Sequence, residues 1–161
     1  MSSALHLVSV AGFAGLMTAA AVEDFRRLVI PNAIVLGLCG LWPLQLASSP
    51  VVSLAGIAGA ALCAAVVFAV GALLFSRGWM GGGDVKLLAA ATLWAGPATT
   101  PELLIVTAVL GGLLAVARLS PLVLHAASAP ALLGDLRRAP VPYGVAIAGA
   151  ALIVTTPPNL G

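Results

Sequence analysis

Five acidic side chains, Glu23, Asp24, Asp84, Glu102 and Asp135, are all that this chain of 161 residues carries. Two of them sit in strings unlike their surroundings. Asp84 follows three glycines in Trp79-Met80-Gly81-Gly82-Gly83-Asp84-Val85-Lys86, a break between two long apolar runs. Asp24 lies about sixty residues upstream, in Glu23-Asp24-Phe25-Arg26-Arg27-Leu28-Val29-Ile30-Pro31-Asn32. Two carboxylates held close together cannot both ionise readily, so the pair shares a proton near neutral pH. One of them then deprotonates a water while the other protonates a scissile carbonyl. That is the chemistry of peptide hydrolysis. Helix-end fields divide the roles: Asp84, at a helix N-terminus, is expected to be the water-activating base, and Asp24, at a helix C-terminus, to hold the proton. The pair titrates as a unit, so the division belongs to the dyad rather than to either residue.

Each carboxylate also has a plain structural reading. Asp84 suits a helix N-cap, with Leu87-Leu88-Ala89-Ala90 following it. Asp24 suits a loop residue paired with Arg26 or Arg27. Together, on one side of a membrane, they suggest a dyad.

The rest of the composition sets the medium. The chain is 61% hydrophobic and 7% charged, with a mean hydropathy of +1.17, against roughly 45–50% apolar and about 25% charged in soluble domains. Such a chain belongs in a bilayer, where ionisable groups are costly and mark functional sites. A length of 161 residues suits one compact unit spanning 1–161. A net charge of +2 gives no case for nucleic acid. Cys39 and Cys63 form no CxxC pair and read as small packing residues.

A membrane span needs about 17–25 apolar residues, and six helices satisfy the pattern to varying degrees. The first covers Ala4 to Val22, and no Lys or Arg precedes it as a signal peptide would require. A loop from Glu23 to Asn32 follows, and then a helix from Ala33 to Ala47, in which Pro43 predicts a kink or an early stop. The third runs from Val51 to Phe75, rich in the Gly and Ala that let helices approach closely in lipid. The fourth, from Asp84 to Ala95, is short. Gly96 to Glu102 is a Pro/Thr-rich turn, Leu103 to Ala117 the fifth span, and Tyr143 to Thr156 the sixth. Arg26, Arg27, Arg77, Lys86, Arg137 and Arg138 then all fall in or around the odd-numbered loops, and the positive-inside rule places those loops in the cytoplasm with both termini outside. Both key carboxylates would face the cytoplasm. The fold class is all-α, a polytopic membrane protein of about six transmembrane helices.

Gly81-Gly82-Gly83-Asp84 fits the GxGD motif of membrane aspartyl proteases, and the string Gly81-Gly82-Gly83-Asp84-Val85-Lys86-Leu87-Leu88-Ala89 resembles the prepilin peptidases (type IV leader peptidases) more closely than presenilin-like enzymes. Asp24, followed by Arg26 or Arg27 and by Ile30-Pro31-Asn32, resembles that family's first catalytic segment. The resemblance implies removal of a short basic leader from prepilins or pseudopilins at the cytoplasmic face of the inner membrane, with Asp24 and Asp84 catalytic and neither metal nor cofactor. Pro142-Tyr143-Gly144 is similar to a late segment of the family and would help shape the site. The paired CxxC motifs of the larger, methylating members are missing here, so the chain looks like the short, peptidase-only type associated with Flp/Tad pili (the CpaA/TadV-like group).

Gly81, Gly82 and Gly83 are expected to shape the site, and Met80 to line a substrate groove beside Trp79, itself an interfacial anchor. Residues two apart on a helix do not share a face, so Lys86 is expected to anchor at the interface rather than pair with Asp84. Arg118 would mark the cytoplasmic end of the fifth span, and His125 has no visible role. Two other readings stay open: an intramembrane protease of other substrates, cutting deep in the bilayer, and a non-enzymatic subunit whose carboxylates bind a proton or cation.

Overall fold

A computed structural model describes residues 2–48, 53–126 and 141–155. Among these residues there are five helical elements: α1 (Ser2–Arg27), α2 (Asn32–Ser48), α3 (Leu54–Ser76), α4 (Gly82–Ala126) and α5 (Tyr143–Thr155). Three stretches are long and apolar enough to cross a membrane, Ala4–Arg27, Leu54–Ser76 and Gly82–Ala117, while Asn32–Ser48 and Tyr143–Thr155 are shorter apolar helices. The protein is all-helical, and its apolar helices suit a membrane.

α4 is not straight. Gly96 within it has φ 71° and ψ 177°, a conformation essentially confined to glycine. Contacts on either side show what the break does. Gly71 of α3 packs on Val85 and Gly59 on Pro97, so the first part of α4 runs antiparallel to α3, away from the aspartates. Thr99 then shares a cavity with Val154 and Thr155, whereas Gly111 packs on Tyr143. The chain therefore turns back at Gly96 and returns alongside α5 toward the end it left. The expected turn over Gly96 to Glu102 is a single residue instead. Pro97 opens the returning segment, where a missing N–H costs little; Pro101 lies one turn further on and leaves the Pro97 carbonyl without its usual helical donor. The Thr99 and Thr100 hydroxyls donate to the Ala95 and Gly96 carbonyls.

Two ends of the bundle result. At one lie Asp24, Ile30, Gly83 and Gly144 in mutual contact or around one cavity. At the other the Ser9 hydroxyl lies 2.6 Å from the Gln45 side-chain amide. The core between them holds Met17, Leu38, Leu87, Leu103 and Ile147. Phe13 stacks on Trp94 with ring centroids 4.6 Å apart, and the Trp94 indole N–H donates to the Leu38 carbonyl at 2.9 Å. α5 is buried almost all round through Gly144, Ala146, Ile147, Ala148, Ala150 and Ala151, as a helix apolar on every face should be. Its small residues let α1 and α4 close on it. α3 instead leaves Leu62, Val66, Phe68, Val70 and Leu73 exposed, an outer surface suited to lipid.

Several boundaries differ from expectation. α1 continues to Arg27, so Glu23 and Asp24 belong to its last turn and not to a loop. α2 accommodates Pro43 and runs on to Ser48. α4 begins at Gly82, two residues before Asp84. The expected loop holding Asp135, Arg137 and Arg138 lies outside the described residues.

Gly96→Ala is predicted to lower thermal stability in detergent, because a Cβ at this φ and ψ costs of order 1–3 kcal/mol. Gly112→Ala, on an open helical face, should leave the melting temperature near that of the parent.

Candidate active site

The last turn of α1 carries Asp24 inward. Arg27 pairs with Glu23 one turn back, N to O 3.4 Å, rather than with Asp24. Leu28 then takes φ 54°, and its N–H donates to the Asp24 carbonyl at 2.9 Å, a left-handed C-cap that normally calls for glycine. A non-glycine residue there costs roughly 1–2 kcal/mol. The sharp turn sends Val29-Ile30-Pro31 back across the end of the bundle instead of out into solvent.

Asp24 is only 5% exposed. Its Oδ2 accepts the Val145 N–H at 3.3 Å, and the Gly144 N–H also donates to the carboxylate. Both donors belong to the first turn of α5, where N–H groups attract anions; the Val145 N–H is shared between Asp24 and the Pro142 carbonyl, the latter at 3.2 Å. The approach requires glycine at 144: a Cβ there would lie 2.8 Å from the Asp24 carboxyl carbon and 2.7 Å from Ile30 Cδ1. Asp24 lies at the C-terminus of α1, as expected, but also at the N-terminus of α5, whose field acts on it in the opposite sense; helix-end fields therefore do not separate the two carboxylates.

Asp84 occupies the third position of α4. The Val85 N–H donates to the Gly81 carbonyl at 3.1 Å, which makes Gly81 the N-cap and corrects the expectation that Asp84 fills that place. The Asp84 carboxylate instead accepts from the Gly81 N–H, the return arm of a capping box. At Gly81 a Cβ would sit 2.7 Å from Asp84 Oδ2, and at Gly83 3.1 Å from Ile30 Cβ. Each of these glycines is thus a point of closest approach to the site.

One cavity of about 190 Å³ receives both carboxylates, lined by Asp24, Leu28, Val29, Ile30, Gly81, Gly82, Gly83 and Asp84. It is far larger than the roughly 10–15 Å³ that one water needs, and the charge of Asp24 acts on Asp84. Two oxygen acids facing a wet cavity can activate water and deliver a proton to a carbonyl. Among the described residues no group of three His, Cys, Asp or Glu side chains could hold a metal ion.

The other expected site residues divide. Gly81, Gly82 and Gly83 line the cavity and Gly144 abuts Asp24. Pro142 is fully buried, just ahead of α5. Tyr143 turns away to pack on Gly111, and Met80 packs against the core. Lys86 is expected to anchor at the interface; its Nζ donates to Asn32 Oδ1 at 3.1 Å, joining α4 to the start of α2. Leu28 and Val29 were missed by sequence reasoning. Only their place before Ile30-Pro31-Asn32 hinted at a role.

A family model described as the type IV leader peptidase family matches residues 11–116, which include both aspartates and the glycine run. The chain belongs to this family. No curated protein and no solved structure matches it. Membership makes the chain a peptidase, and the type IV leader peptidase match covers four of the five helical elements in whole or part.

For this peptidase, Gly144→Ala is predicted to cut cleavage about 100-fold or more, since a displacement near 1 Å of a reacting group costs that much. Gly112→Ala is the matched control. Cleavage rates normalised to membrane level decide the matter.

Proposed function

We propose that this peptidase is an aspartyl endopeptidase that removes the short basic leader from type IV or Flp-type prepilins or pseudopilins at the cytoplasmic face of the inner membrane. Asp24 and Asp84 form the catalytic dyad, sharing one proton and activating one water between them. The observation that carries this reading is their meeting in one cavity although they lie far apart in sequence. In the attack, one carboxylate takes a proton from water as its oxygen adds to the scissile carbonyl. The other gives its proton to the carbonyl oxygen. The first then passes its proton to the scissile nitrogen while the second takes a proton back from a hydroxyl of the tetrahedral intermediate, whose collapse to the new carboxyl group expels the neutral amine of the mature protein.

The chain is proposed to be a single integral-membrane unit crossing six times, α4 supplying two crossings on either side of Gly96. Support comes from the basic residues: Arg26, Arg27, Arg77 and Lys86 all lie near the aspartate end, which the positive-inside rule assigns to the cytoplasm. Both termini are then on the opposite side. A leader that is itself basic and cytoplasmic reaches the dyad without crossing lipid, drawn by Asp24, Asp84 and Glu23. The compact α1–α2 connection, four residues long from Leu28 to Pro31, leaves no place for a methyltransferase insertion, so processing without methylation is proposed.

Co-expression with an Flp-type prepilin tests the proposal, with leader removal read by gel shift and product mass. Wild type should cleave at the cytoplasmic border of the substrate's apolar segment. Asp24→Asn and Asp84→Asn should each lose at least about 100-fold while membrane levels hold. A cut deep inside the apolar segment would favour a general intramembrane protease instead. Cleavage that survives either substitution would remove that residue from the dyad.

A further inference from the structure

The segment Leu28-Val29-Ile30 lies along one side of the cavity, facing the glycine run on the other. Beyond the Leu28 cap, Val29 and Ile30 are the only lining residues, among the described residues, that belong to neither a helix nor a helix cap. Val29 and Ile30 are outside any helix, and neither the N–H nor the C=O of either residue has a hydrogen-bond partner among the described residues. Ile30 is nevertheless only 6% exposed, its side chain wedged against Gly83 and Gly144. Val29 is 62% exposed, so its backbone groups are open to an incoming partner, while those of the buried Ile30 are costly to leave unmade. An unpaired stretch on the wall of a reaction cavity is therefore a place where something else bonds when the site is occupied.

The occupant must also be extended. A peptide bond within a helix has its carbonyl engaged and its faces shielded by neighbouring turns, so a dyad can attack only a chain opened out locally. An extended chain carries its own row of unpaired N–H and C=O groups, the complement of Val29 and Ile30. Pro31 has no N–H, which ends the ladder at its α2 side. On the opposite wall Gly81, Gly82 and Gly83 lack side chains, leaving backbone room beside Asp84.

We infer that Leu28-Val29-Ile30 is a substrate-binding edge: it pairs backbone to backbone with the residues flanking the scissile bond, holding the substrate as an added strand across Asp24 and Asp84. This rests on the peptidase reading above and deepens it by naming how the chain is gripped. The grip reads extended backbone rather than particular side chains. It explains why the α1–α2 connection keeps a strained Leu28 in place: the left-handed turn is what lays the segment along the cavity.

Amide hydrogen exchange, read by mass spectrometry on peptides covering residues 25–33, tests this directly. The Asp84→Asn protein in detergent would be compared with and without a saturating synthetic peptide spanning a prepilin cleavage site, which that variant leaves intact. Exchange at the Val29 and Ile30 amides should slow at least about tenfold. Unchanged exchange at both amides, with binding of the peptide shown independently, would overturn the inference. A second reading uses wild type and N-methylated peptides. Methylation next to the scissile bond should raise KM several-fold with kcat within about twofold, while methylation far along the peptide should not. Equal KM for every methylated position would also overturn the edge. If the parent peptide protects the two amides but is never cut, the edge stands and the peptidase assignment fails.

Discussion

Everything at the aspartate end depends on a carboxylate buried where α1, the start of α4 and the start of α5 come together. Removing a charge or its proton-bearing form from water is costly unless hydrogen bonds replace the lost hydration. Asp24 obtains them from the first turn of α5, through the Val145 and Gly144 N–H groups. That contact fixes α1 against α5, and it tolerates no side chain at position 144. Ile30 then locks the same corner from the other side, touching both Gly144 and Gly83, and thereby brings the start of α4 with Asp84 into place. A buried acid, two glycines and one isoleucine so determine the relative positions of α1, α4, α5 and the α1–α2 connection.

The remainder of the fold serves this corner by making helices short and closely packed. α5 is built largely of glycine and alanine along its buried faces, which costs little side-chain entropy and allows near contact in a medium offering no hydrophobic drive between helices. Gly96 reverses the chain at the far end so that one helical element supplies both a neighbour for α3 and a neighbour for α5. At that far end polar side chains find nearby partners, Ser9 in Gln45 and Thr99 and Thr100 in carbonyls one turn back, and Trp94 uses its indole N–H to reach the Leu38 carbonyl. At the aspartate end the non-helical Val29 and Ile30 line a cavity, where irregular backbone is tolerated.

Much of this was legible in the sequence for physical reasons. Scarce charge in an apolar chain made Asp24 and Asp84 conspicuous, and the Gly81-Gly82-Gly83 run marked a break in the apolar pattern beside Asp84. Helix positions followed from hydropathy, with α2, α3 and α5 within a few residues of their expected limits. What could not be read was anything decided by a contact between distant segments. Asp24 was placed in a loop because Glu23 to Arg27 is polar, yet the Glu23–Arg27 pair and the α5 donors let α1 continue through it. Pro97 and Pro101 read as turn residues, although Pro97 fits the first helical position once Gly96 has made the reversal and the helix carries on through Pro101. Lys86 was given to the interface because Asn32, its partner, is remote in sequence.

The central claim is that Asp24 and Asp84 face each other across one small cavity in the membrane-embedded protein. Cysteine cross-linking tests it most directly. In a background of Cys39→Ser and Cys63→Ser, a protein carrying both Asp24→Cys and Asp84→Cys would be treated in native membranes with a short bifunctional methanethiosulfonate. The account predicts an intramolecular link between positions 24 and 84, identified by the mass of the joined peptides. Absence of that link, with each single cysteine still reacting with a small monofunctional reagent, would contradict it.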